Sequence, residues 1–114
     1  MNITTVELPE FIRKSEKLLS SEEHDLLLSF LATNPSAGVL IQGTGGVRKL
    51  RWATRNKGKS GSVRVVYFYY NPSMPLFLLT AFSKSKRDNL MKAERNELAG
   101  LTKLLIQNYR GENG

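Results

Sequence analysis

Lys49 and Arg51 stand two residues apart in a segment whose apolar positions alternate, so both project from one face of a strand. Arg64 lies on the next strand-like segment and joins them in one cluster if the two form a hairpin of suitable register. Lys84 and Lys86 leave the end of the last strand near the same edge. A phosphodiester held among such cations would have its developing charge stabilised. A lysine crowded by other cations has a lowered pKa, and such a group can give or take a proton near neutrality. In RNA the 2′-hydroxyl supplies the nucleophile, so the protein need not. Metal-free, histidine-free RNA cleavage and simple phosphate binding fit this inventory equally well.

The charge distribution supports a polyanionic partner. The 114 residues carry 17 Lys and Arg against 10 Asp and Glu, a net charge of +7. No acid occurs between Asp25 and Asp88. Those 62 residues hold Arg48, Lys49, Arg51, Arg55, Lys57, Lys59, Arg64, Lys84, Lys86 and Arg87, a segment charge of +10. The first 25 residues sum to −3 and residues 88–114 to zero. Solubility alone does not require every acid to be missing from half of a protein, whereas nucleic-acid binding favours such a concentration.

Other chemistries have little to work with. There is no cysteine, which removes thiol nucleophiles, disulfides and cysteine-ligated zinc together. The one histidine, His24, falls in a helical segment beside a run of acids and reads as a surface residue. The acid-free segment keeps carboxylates off the basic face, which argues against a two-metal nuclease, and no cofactor is expected. No apolar run approaches the roughly 20 residues of a membrane span. MNITTVELPE lacks the basic stretch and apolar core of a signal peptide, so a cytoplasmic location is expected.

Composition and length suit one domain, residues 1–114, able to fold without metal or disulfide. Residues 2–7 read as a strand, and Pro9 opens a helix with Phe11, Ile12, Leu18 and Leu19 as its stripe. Ser20 with Glu23 is a capping-box pattern for a second helix over 21–33, burying Leu26, Leu27, Phe30 and Leu31 and ended by Asn34-Pro35. Residues 39–46 form a short apolar run and a Gly-rich turn. Strands are expected over 47–54, 63–70 and 76–82, with Leu50 and Trp52 facing away from Lys49 and Arg51. Residues 56–62 form a Gly-rich turn. A closing helix is expected over 86–109, with Leu90, Leu98, Leu101, Leu104 and Leu105 buried. The order β-α-α-β-β-β-α defines an α+β fold, a small, mostly antiparallel sheet covered by a helical hairpin and a C-terminal helix.

In that order, GTGGVRKLRWA, the turn KGKSGS, the strand VRVVYFYY and LFLLTAFSKSK resemble the RelE/ParE superfamily of bacterial type II toxin–antitoxin modules, closest to the HigB-like branch of RelE-type toxins. The resemblance covers roughly residues 38–105. It implies a RelE-like fold and a ribosome-dependent mRNA endonuclease that inhibits translation. The partners implied are mRNA in the ribosomal A site, the ribosome with its 16S rRNA, and a cognate, DNA-binding antitoxin. It assigns catalytic roles to Lys49, Arg51 and Arg64, with Arg64 stabilising the transition state, and to Lys84 or Lys86. Arg48, Arg55, Lys57, Lys59, Lys86 and Arg87 are the accompanying RNA-binding set. The chain departs from the pattern at KSKRDNLMKA, where RelE enzymes carry a base-stacking tyrosine, and Tyr109 is too far along to substitute. A second departure is Arg51 in place of a lysine, which is not expected to deprotonate. The rival readings are a ParE-like gyrase-inhibiting toxin and a non-catalytic RNA- or ribosome-binding module.

Overall fold

The computed structural model describes residues 2–54, 61–87 and 89–113, with side chains to Tyr109. The chain runs β1 (Thr5–Glu7), α1 (Pro9–Leu18), α2 (Ser21–Thr33), β2 (Val39–Leu40), β3 (Val47–Thr54), β4 (Gly61–Phe68), β5 (Leu76–Ser83) and α3 (Lys92–Asn113). One five-stranded sheet has the order β1-β5-β4-β3-β2. β1 lies parallel to β5 and the other pairs are antiparallel. This is the expected α+β architecture with one addition: the apolar run before the Gly-rich turn contributes a two-residue edge strand, β2.

Local chemistry sets the boundaries. Pro9 occupies the first turn of α1, where its missing N–H costs nothing. The capping box before α2 is complete: the Glu23 N–H donates to Ser20 Oγ and the Ser20 N–H to Glu23 Oε1. The other Glu23 oxygen accepts from Thr54 Oγ1 at 2.6 Å, tying the start of α2 to the end of β3. In the Gly-rich turn, the Thr44 hydroxyl donates to the Ile41 carbonyl and accepts from the Val47 N–H. The Thr44 carbonyl accepts from Thr102 Oγ1 on α3 at 2.9 Å. Gly45 has φ +77°, and a Cβ there would stand 2.8 Å from that same hydroxyl. Only glycine suits both constraints.

The two faces of the sheet pack separately. On one, Phe11 and Leu19 from the α1 region and Leu27 and Leu31 of α2 meet Leu50, Val63, Val65, Tyr67, Leu76, Leu78 and Ala81. Trp52 joins this core with its ring 5.5 Å from that of Phe30. The Tyr67 hydroxyl donates to the Pro35 carbonyl and accepts from the Gly38 N–H, both at 2.8 Å, and burial pushes its pKa up. On the other face Val47, Val66, Phe68, Phe77, Leu79 and Phe82 are covered by Leu98, Leu101, Leu105, Ile106 and Tyr109 of α3. A register shift between Val66 and Tyr67 lets one extra β5 residue, Leu79, join this second cluster.

Several boundaries and burials differ from the sequence reading. Leu26 is 63% and Leu104 58% exposed, each at the edge of its helix stripe rather than within it. Phe30 is half-buried. β4 begins two residues earlier and ends two earlier than expected, leaving Tyr70 exposed and stacked on Phe68. α3 starts at Lys92, not near residue 86: residues 84–86 form a turn, and Leu90 is buried in the segment before the helix. Among the described residues no helix is long and apolar enough to cross a membrane.

Candidate nucleic-acid interface

Strand register assembles the cluster. Arg51 of β3 stands directly opposite Arg64 of β4, and Lys49 stands opposite Val66, two positions along the same face. That face is the one α3 partly covers, since Val66 and Val47 belong to its apolar cluster. Like charges directly opposite in an antiparallel pair are by themselves destabilising. Arg51 is exposed and Lys49 half-buried. Arg64 is 6% exposed, with Nη1 donating to Ser62 Oγ at 3.1 Å. Lys49 Nζ donates to Asn89 Oδ1 at 2.6 Å.

The next strand extends the cluster. Phe82 of β5 is the cross-strand neighbour of Arg64. The guanidinium carbon of Arg87 lies 4.4 Å from the centre of the Phe82 ring, within cation–π range. Arg87 is also ion-paired with Glu94 in the first turn of α3. The Glu94 oxygen that accepts from Arg87 accepts from the Met91 N–H too, and these contacts, Arg87 foremost, hold its carboxyl below the usual glutamate value. The Lys84 N–H donates to the Ser62 carbonyl, so Lys84 stands level with Ser62 at the open end of the strand pair. Lys84 and Lys86 are exposed in the turn that follows.

The structure therefore brings Lys49, Arg51 and Arg64 onto one face, with Arg87 beside them. Arg48 lies on the opposite face of β3. It pairs opposite Tyr67, whose ring lies in the hairpin-side core, and its Nη1 donates to the carbonyls of Ser36 and Gly38 at 3.1 and 2.7 Å. Alternation sends it away from Lys49, to brace the segment before β2. Arg55, Lys57 and Lys59 lie outside the described residues. His24, read as a surface residue, is half-buried, with Nε2 2.5 Å from Glu7 Oε1, on the side of the helical hairpin. Tyr109 packs edge-on against Phe77 at 5.8 Å and belongs to the core. Among the described residues no three His, Cys, Asp or Glu side chains converge as metal ligands would.

Three neighbours of the cluster, Phe82, Asn89 and Glu94, escaped the sequence reading. Phe82 looked like core, which it also is. Asn89 and Glu94 fell inside the helix drawn too early. The usable signal was Glu94 itself: its side chain accepts from the N–H at the helix start, as a capping-box glutamate does, but Met91 stands where a Ser or Thr would have marked the pattern.

The architecture is thus three helices on a five-stranded, mostly antiparallel sheet with a cationic cluster on one face. The structure of the E. coli toxin RelE, solved in the free state as a double arginine-to-alanine variant, superposes with a TM-score of 0.55 over 90% of this chain and 98% of that one, at 15% identity. At that identity the likeness is one of fold. Sequence supplies the family: the model described as "RelE toxin of RelE / RelB toxin-antitoxin system" matches residues 36–112, more than half of the chain. The chain belongs to the RelE toxin family. The matched range begins after α2 and contains β2 to β5, the whole cationic cluster and most of α3.

Proposed function

We propose that this toxin is a ribosome-dependent, metal-independent endoribonuclease of the HigB-like branch. It would cut mRNA in the ribosomal A site and be neutralised by a cognate, DNA-binding antitoxin. The observation that carries the reading is the direct opposition of Arg51 and Arg64, with Lys49 on the same face. Two arginines paired across adjacent strands offer a phosphodiester donors from both strands. In the reaction, the 2′-oxygen attacks the adjacent phosphorus and the P–O5′ bond breaks, leaving a 2′,3′-cyclic phosphate and a 5′-hydroxyl. Arg64, the least exposed of the three, is the group best suited to the charge that builds on the phosphoryl oxygens, because a fixed, poorly solvated donor needs no reorganisation. Proton transfer falls to Lys49, since a guanidinium does not deprotonate. The exposed Lys84 and Lys86 would bind the flanking backbone of mRNA or 16S rRNA.

Expression in a growing culture tests this. The wild-type chain is expected to arrest growth and Arg64→Ala, shown soluble and folded, is not. Full arrest by that variant would contradict the catalytic assignment. DNA-damage signalling without mRNA cleavage would instead favour gyrase inhibition.

A further inference from the structure

We infer that Glu94 is a positioning residue for the cationic face and acts through Arg87, an inference that rests on the phosphodiester-binding reading above. One Glu94 oxygen receives both the Arg87 guanidinium and the Met91 N–H, so the carboxylate fixes the first turn of α3 and the arginine together. The Arg87 guanidinium is held on its other side by the Phe82 ring at 4.4 Å. Phe82 in turn is the cross-strand neighbour of Arg64. Carboxylate, guanidinium and ring thus stand in series and end beside the least exposed cation of the cluster. A long side chain beside an exposed turn would otherwise spread over many rotamers, and ordering it when substrate arrives costs affinity. Here that order exists beforehand. A guanidinium has five N–H donors. Glu94 engages Nη1, so Arg87 can be clamped and still offer donors to a phosphate oxygen.

The chemistry separates positioning from plain electrostatics. If Glu94 only diluted the positive field, removing it would add one net positive charge to the cluster and strengthen RNA binding and cleavage. A positioning residue does the reverse. The test is a double-substitution cycle of Glu94→Ala, Arg87→Ala and both together, read as kcat and KM for cleavage of a translated message. Glu94→Ala is expected to lower kcat on the order of tenfold or more, and Arg87→Ala likewise. The double variant should be no slower than Arg87→Ala alone. Faster cleavage by Glu94→Ala, or losses that multiply in the double variant, would overturn the inference. Should alanine unfold the first turn of α3, Glu94→Gln keeps the acceptor for Met91 but only a neutral one for Arg87. It should then show a smaller loss in the same direction, and a gain would overturn the inference. If the wild-type chain leaves mRNA intact, the cleavage reading fails by itself. The same variants titrated against a single-stranded oligoribonucleotide then decide: weaker binding by Glu94→Ala supports positioning and tighter binding overturns it.

Discussion

The two faces of the sheet are built from the same strands, yet among the described residues they are covered differently. On the hairpin side, Leu50, Trp52, Val63, Val65 and Tyr67 continue the apolar pattern across β3 and β4 and meet α1 and α2. On the α3 side the apolar pattern holds through Val47, Val66 and Phe68. It gives way to Lys49, Arg51 and Arg64 toward the other end of the hairpin. The same alternation that buries Leu50 exposes Arg51. One face is packed with apolar side chains, and the other carries Lys49, Arg51 and Arg64 on adjacent strands, the arrangement on which the proposed site rests.

Substitutions can break this contrast or sharpen it. The largest effect is expected at Arg64. Replacement by leucine should lower mRNA cleavage per folded molecule by about 10²–10³-fold. Leu27→Ala on the hairpin face should do the opposite. It is expected to cost about 2–5 kcal/mol in denaturant unfolding, with cleavage per folded molecule unchanged. Tyr67→Phe leaves the Gly38 N–H and Pro35 carbonyl without their partner and should cost about 1–3 kcal/mol by the same method. Asn89→Ala releases the acceptor that holds Lys49 and should reduce cleavage severalfold without moving the melting temperature.

The smallest effect concerns pH. The Glu94 carboxyl lies below the ordinary value of 4.5 in the folded chain because Arg87 hydrogen-bonds it. The stability it contributes is therefore fully present above the unfolded value and is lost as pH falls through the folded one. Melting temperatures recorded below pH 5 should fall less steeply for Glu94→Gln than for the wild type, and identical slopes would remove that linkage.

Much of this was legible in the residues, and the gaps have physical causes. The bounds of β3 are legible because Val47 to Thr54 alternates cleanly and follows a pair of glycines. The capping box before α2 was visible because both partners are local. The opposition of Arg51 and Arg64 was not, because register depends on how the chain crosses between the strands rather than on either strand alone. Charge alone groups Arg48 with Lys49 and Arg51, whereas strand alternation sends it to the other face. The start of α3 was set too early because KSKRDNLM contains no proline or glycine to stop a helix, while the cap at Met91 carries no side-chain signature. Missing that boundary hid Asn89 and Glu94.

The most direct measurement is primer extension on an mRNA in a translating extract, with purified wild-type protein and with Arg64→Ala of equal fold and concentration. Cuts that appear only when the message is being translated, and vanish with the variant, are the expected result. Intact message from an active preparation, or equal cutting by Arg64→Ala, would contradict catalysis by this face and leave it as a binding surface.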